Sequence, residues 1–271
     1  MTAPVERIVV ALDAASENRA AIGAAARLAA RWKAHLHGVF VEDDDLIRLA
    51  QLPFARQVTL GFGAERLTLQ HAERQMRVFA ERARQDLAAA AARHGVEWSF
   101  EIVRDGGDAL STSSDDFLVA CTATRPVGGH FRVDCRWWSS VDSGPSARLF
   151  AHREGGPNGA VAALLQSRGA SAERLLAAAA RLAEAHDARL AVICPPALTQ
   201  EPGFKIWLDE RLAGHAVEVD LELLRERALL PRHIAQLRCR IVAIEAGADE
   251  AQPDRLRALA ATIACDVLVV R

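Results

Sequence analysis

Four groups of residues have types and spacings that chemistry could use. Glu42-Asp43-Asp44-Asp45 gathers four carboxyl groups, a set able to hold Mg²⁺ through oxygen ligands. The same run also reads as a solvated turn in which Asp45 caps a short helix beginning at Leu46. His35 and His37 alternate along one run, and His130, Asp134 and Cys135 lie close together, yet neither set completes the regular quartet that zinc favours. Ser139, Ser140, Asp142 and His152 are hydrolase residue types, but no GxSxG elbow presents a serine at a strand-to-helix turn. Cys121, Cys135, Cys194, Cys239 and Cys265 form no CxxC pair, and an odd set without metal spacing reads as reduced, mostly buried thiols. With no nucleophile-base pair and no metal quartet, the expectation is a protein that is not an enzyme. Trp137-Trp138, in a polar stretch, either covers the core or forms an exposed patch for a partner or for the other half of the chain.

These residues are carried by 271 positions, 51% hydrophobic and 25% charged, which is ample material for one large or two modest cores and excludes disorder for most of the chain. Thirty-three Lys and Arg against 35 Asp and Glu give a net charge of -2, with no global pull toward nucleic acid or anionic lipid. No stretch approaches the 18 or so apolar residues of a membrane span, and the opening MTAPVERIVVALD lacks a signal peptide's longer apolar region. The expectation is therefore a cytoplasmic protein with no nucleic-acid or membrane partner.

Periodicity supplies the elements. Arg7 to Leu12 is a β-branched apolar run of the kind buried on both faces of a parallel sheet. Ser16 is placed to cap the next helix, whose Ile22, Ala25, Ala26 and Ala29 share a face, and Leu36 to Val41 is the second strand. Leu69, Ala72, Met76, Phe79, Ala83 and Leu87 predict a long helix stopped at Gly95. Trp98 to Val103, Phe117 to Cys121 and Arg148 to His152 follow as strands, with Arg104 to Asp116 too rich in Gly, Ser and Asp for more than a short crossover helix.

Gly155-Gly156-Pro157-Asn158-Gly159 reads as a linker, dividing the chain into residues 1–154 and 160–271. The second part repeats the first: AAARLAA at Ala24 to Ala30 recurs as AAARLAE at Ala178 to Glu184, an offset of 154 residues. Strands are expected at Ala160 to Leu165, Leu190 to Cys194, Glu218 to Leu223, Arg240 to Glu245 and Asp266 to Val270, with helices over Arg225 to Leu237 and Pro253 to Ala264. Each part is thus an α/β sandwich on a parallel sheet.

Glu6 to Asp13, the Ala-rich helix, Leu36 to Asp43 and the segment LIRLAQLPFAR at Leu46 to Arg56 together resemble the universal stress protein family, in its tandem form. The resemblance implies two five-stranded parallel-sheet domains of the adenine nucleotide alpha hydrolase-like fold, related by a pseudo-two-fold axis as a built-in dimer, with further homodimerisation open. A single continuous sheet is the arrangement this reading excludes. Many members bind ATP, and the resemblance implies Asp13 at the adenosine, Val41 at the base and a Gx2Gx9G-Ser/Thr loop at the phosphates. Here Gly128 and Gly129 adjoin with no Gly ten positions on, Gly144 and Ser146 are separated by Pro145, and the second part has Gln166 or Ser167 in place of Asp13 and Gly247 alone after its fourth strand. Several anion-binding N–H groups are missing, each worth about 1.5 to 3 kcal/mol. The expectation is a non-catalytic regulatory or interaction module with an unknown protein partner and no cofactor. The alternative is adenine-nucleotide binding in the first part, through Asp13, Val41 and a rearranged loop containing Gly128, Gly129, Gly144 and Ser146.

Overall fold

The computed structural model describes residues 5–14, 18–42, 44–59, 63–104, 113, 115–121, 146–152, 159–251, 255–256, 259, 262–263 and 265–271. The first part of the chain forms β1 (Arg7–Leu12), α1 (Asn18–Trp32), β2 (His35–Val41), α2 (Asp44–Ala50), β3 (Arg56–Thr59), β4 (Gly63–Arg66), α3 (Leu69–His94), β5 (Trp98–Val103), β6 (Phe117–Cys121) and β7 (Ala147–Ala151). The second forms β8 (Val161–Leu164), α4 (Ala170–Ala185), β9 (Leu190–Cys194), α5 (Pro196–Thr199), α6 (Phe204–Leu212), β10 (Val219–Leu223), α7 (Leu230–Gln236), β11 (Ile241–Glu245) and β12 (Asp266–Val270).

Ten strands make one sheet in the order β10-β9-β8-β11-β12-β7-β6-β1-β2-β5. Every neighbouring pair is parallel except β12 and β7, which meet antiparallel with Val270 opposite Ala147 and Val267 opposite Phe150. Counted outward from this seam, both parts run fifth, fourth, first, second, third strand. The expectation that a continuous sheet excludes a two-fold relation is therefore corrected. An antiparallel edge pairing has a two-fold axis normal to the sheet, so continuity and pseudo-symmetry come together. The physical drive is clear at β7, whose five residues are all buried and whose backbone groups would otherwise be unpaired in the core.

Alternation along β1 feeds both faces. Ile8, Val10 and Leu12 pack with α1, α3 and Leu36, while Val9 and Ala11 join Val39, Val41, Leu118 and Ala120 on the other side. Close approach decides two glycines. A Cβ on Gly38 would lie 2.5 Å from the Leu87 side chain of α3, and one on Gly159 would lie 1.7 Å from the Arg238 carbonyl oxygen. Gly159 is thus a packing position as well as the end of the linker-like cluster. The repeat extends to the backbone, because Lys33 and Asp187, 154 positions apart, both take left-handed φ values of 55° and 48° after their Ala-rich helices.

The long helix begins at Leu69, with Thr68 capping His71 N–H at 3.2 Å, and ends on Gly95 in the left-handed conformation, as the periodicity predicts. The helix after β2 starts at Asp44, so the expectation that Asp45 caps it from outside is corrected. The helix before β11 is shorter than predicted, with a 3₁₀ turn at Arg227–Leu229 leading into it. The hairpin β3–β4 and the helices α5 and α6 were not foreseen. Ser16, Pro253 and most of the 104–116 crossover lie outside the described residues.

Candidate functional site

In a sheet of this order the crevice for a ligand lies where the chain reverses its direction of winding, at the carboxyl ends of β1 and β6. Leu12 stands opposite Phe40 in the β1–β2 ladder, so the next positions, Asp13 and Val41, come side by side at that end. Val41 is buried, in contact with the apolar layer that contains Val9 and Ala11. The turn leaving β1 is held by a residue the sequence reading missed. The Asn18 side-chain amide donates to the Asp13 carbonyl at 2.7 Å, and the Asp13 N–H donates back to Asn18 Oδ1 at 3.4 Å. An Asn at the first position of an Ala-rich helix was the available signal.

Of the remaining implied ligand groups, Ser146 alone is among the described residues. Gly128, Gly129 and Gly144 lie outside the described residues. Ser146 sits just before β7, where its carbonyl accepts the Arg271 N–H at 2.9 Å. Since β7 runs parallel to β6, this is the amino end of the first part's sheet, the edge opposite Asp13 and Val41. Ser146 therefore does not meet those two residues.

Among the described residues, members of the other constellations have structural partners. Glu42 accepts Arg104 Nε at 2.6 Å, and its N–H continues the ladder to the Val103 carbonyl at 3.0 Å, so the acidic run begins as an ion-paired strand end. Asp43 lies outside the described residues. His35 Nε2 and His37 Nδ1 converge on the Ser99 hydroxyl at 2.7 and 2.8 Å, and His37 Nε2 lies 3.2 Å from Glu101. Among the described residues no group of three His, Cys, Asp or Glu is placed to hold a metal ion. His152 uses its backbone N–H on Asp266 at 2.7 Å, while Ser139, Ser140, Asp142, His130, Asp134, Cys135, Trp137 and Trp138 lie outside the described residues. Cys194, Cys239 and Cys265 are free and buried, and burial raises all three thiols, Cys239 to about 11.

The second part settles which residue replaces Asp13. Ile8 stands opposite Leu36 and Val161 opposite Leu190, so Gln166 is the counterpart of Asp13 and Pro195 of Val41. After β11 the backbone closes at once. Ala246 N–H donates to the Val270 carbonyl at 2.7 Å, Ala248 N–H to the Glu245 carbonyl at 3.0 Å, and a 3₁₀ turn follows at Asp249–Ala251. The Ala246 N–H is thus spent on the ladder to β12 and the Ala248 N–H inside the turn. Glu245 adds a buried carboxylate oxygen, Oε1, with no hydrogen-bond partner among the described residues, at the end of the strand from which a phosphate cradle would start.

In sequence, no protein-family model and no curated protein matches the chain. Solved structures do. A universal stress protein from Archaeoglobus fulgidus DSM 4304 matches over 97% of this chain and 96% of its own, with 12% identity and a TM-score of 0.63. A protein from Pseudomonas aeruginosa UCBPP-PA14, provisionally assigned as a universal stress protein, matches over 98% and 93%, with 16% identity and a TM-score of 0.58. A functionally unknown protein from Pseudomonas aeruginosa PAO1 matches over 98% and 92%, again with 16% identity, at 0.57. The chain has the universal stress protein fold over nearly its whole length. No helix among the described residues is long and apolar enough to cross a membrane.

Proposed function

We propose that the chain is a tandem universal stress protein, with domains at residues 1–154 and 160–271 forming an intramolecular dimer, and that it works as a regulatory or interaction module without catalytic turnover. The observation that supports this reading is the turn after β11, where Ala246 N–H is used by β12, Ala248 N–H by the turn itself, and Glu245 holds a carboxyl oxygen with no hydrogen-bond partner among the described residues. A phosphate group brought to that turn would meet a buried carboxyl group and find the Ala246 and Ala248 N–H groups already used. Buried free thiols fit a reducing compartment, and we place the protein in the cytoplasm.

The test is native mass spectrometry of gently purified protein, followed by thermal unfolding with millimolar Mg-ATP and a phosphate-release assay. A ligand-free mass, an unmoved midpoint and no phosphate above the blank are expected. Phosphate release would overturn the non-catalytic reading. A second reading, nucleotide binding in the first domain, is favoured by the adjacency of Asp13 and Val41 at one strand end. Co-purified ATP or ADP at one per chain, lost in Asp13→Ala, would establish it.

A further inference from the structure

The sheet has two outer edges, β5 and β10, at corresponding places in the two parts of the chain. At β10 the Glu218 carbonyl accepts Leu190 N–H at 2.8 Å and Leu224 N–H donates to the Cys194 carbonyl at 2.9 Å. Even-numbered residues therefore face β9, and Val219, Leu221 and Leu223 direct their N–H and C=O groups away from the sheet. The β5 edge has the same parity, since the Glu97 carbonyl accepts Leu36 N–H and the Val103 carbonyl accepts Glu42 N–H, leaving Trp98, Phe100 and Ile102 outward. Trp98 lies opposite Leu36 and Val219 opposite Leu190, so the two outward triplets correspond.

What covers them differs. The 26-residue α3 precedes β5, and Trp98 and Phe100 are half-buried against the core to which it contributes Ala80, Ala83 and Leu87, leaving only Ile102 of this triplet exposed, at 50%. The helix that precedes β10 is α6, of nine residues, and Val219, Leu221 and Leu223 remain 37%, 46% and 47% exposed. The alternate side chains of this strand region are Glu218, Asp220 and Glu222, an acidic row in which Asp220 pairs with Arg189 and Glu222 lies 3.6 Å from His233 Nε2, an atom with no hydrogen bond among the described residues. Within β10 there is no Lys or Pro, and the charges its edge carries, Asp220 and Glu222, are all acidic.

We propose that β10 is a docking edge for an extended segment of a partner protein with alternating basic and apolar residues, which adds as a further strand. Its backbone meets the outward N–H and C=O groups of Val219, Leu221 and Leu223, its apolar side chains extend their bare row, and its basic ones answer the acidic row. A second copy fits poorly, because antiparallel self-pairing about Leu221 sets Asp220 against the other copy's Glu222, and like charges directly opposite destabilise a sheet.

The inference rests on the interaction-module reading above, but its test is separate from nucleotide binding and turnover. A fluorescent seven-residue peptide alternating Arg and Val, and its Glu-for-Arg counterpart, are titrated into the full chain by anisotropy. Leu221→Pro removes one outward N–H without touching the ladder to β9, and Leu221→Lys keeps the backbone but places a positive charge at the edge. Saturable binding of the Arg peptide is expected, at least about tenfold weaker in Leu221→Pro and several-fold weaker in Leu221→Lys, with no binding of the Glu peptide and slowed amide exchange at Val219, Leu221 and Leu223. No binding of the Arg peptide overturns the proposal. So does equal binding by both variants, which would make the contact charge alone, or a dimer by native mass that Leu221→Lys dissociates, which would make the occupant a second copy.

Discussion

The ends of α1 and α4 lie near the seam with nearly the same sequence and different chemistry. Arg27 and Arg181 are equivalent positions of the repeated heptapeptide, and Trp32 is equivalent to His186. Arg181 of the second part stacks over the ring of Trp32 at 5.0 Å, and that ring also meets Phe117 edge-on at 5.0 Å. On the other side of the pseudo-two-fold, Arg27 of the first part acts on His186, together with Arg240. The residues preceding the fourth strands are exchanged as well. Asp116 before β6 is clamped by Arg7 Nε and Nη2 at 2.8 and 2.6 Å, whereas Arg240 stands before β11 with Asp266 nearby. One quasi-equivalent corner is closed by an aromatic ring under a cation, the other by a half-buried imidazole in the field of two cations. The duplicated backbone tolerates either, so the difference lies in what each corner responds to: area on one side, protons on the other.

Truncation sharpens that contrast most. Trp32→Ala removes the edge contact with Phe117 and the stacking surface of Arg181, and a loss of about 3 to 4 kcal/mol in chemical denaturation is expected. The equivalent change His186→Ala removes less apolar area and should cost about 1 kcal/mol at pH 7. Equal costs would mean that the two corners bear the same packing load and that their chemical difference is idle.

The proton response is the next largest. Burial, then Arg240 and Arg27, push the His186 imidazole down from 6.5 to about 4, with Asp187 acting weakly in the other direction. A group whose folded pKa is depressed contributes stability that is present above its unfolded pKa and lost as pH falls toward the folded one. Stability should therefore fall by about 2 to 3 kcal/mol between pH 6.5 and 4 on account of His186. Two acids near the seam pull in opposite senses. Burial raises the Asp266 carboxyl, despite the His152 N–H and the nearby Arg240 and Arg27, so its contribution is greatest at low pH. Burial would likewise raise Asp116, but its bonds from Arg7 and Ser113 outweigh that and hold it low, so its contribution is lost on acidification. His186→Phe isolates the imidazole, and the wild type should lose stability relative to this variant as pH falls from 6.5 to 4. Parallel curves would remove the proton from the comparison.

Much of this was legible in the residues. β1, β6, β9 and β12 are apolar or β-branched runs whose burial on both faces leaves little choice of element, β5 is legible by its period-two character, and the predicted spans of all five match the observed ones. The short hairpin β3–β4 escaped because RQVT and GAER carry no sustained alternation, while α6 was readable in the four-residue steps Phe204, Leu208, Leu212 and was passed over. The seam itself was out of reach of periodicity. A strand buried on both faces looks the same whether its last neighbour is parallel or antiparallel, so nothing in Ala147 to Ala151 announces that β12 will pair with it. At the candidate site, the adjacency of Asp13 and Val41 followed from strand order, but the placement of Ser146 depended on where β7 begins, and the unpartnered oxygen of Glu245 depended on a turn that only three dimensions reveal.

The smallest effects concern how each part leaves its first strand. In the first, Asn18 bridges to the backbone of Asp13 from the start of α1. In the second, α4 begins after Gly169 at φ 155°, with no side-chain cap. Asn18→Ala removes both bonds to the turn and should cost about 1 kcal/mol, in the range of a lost cap. Asp13→Ala keeps the backbone atoms that Asn18 holds and should cost less, under about 1 kcal/mol. If Asp13→Ala proved the costlier of the two by urea denaturation, the Asp13 side chain would be the anchor of the turn, and its presence beside Val41 would need no ligand to explain it. If the order holds, Asp13 is a half-buried carboxylate that the turn does not require, at a strand end where the second part has Gln166 instead, and the nucleotide reading keeps its strongest residue.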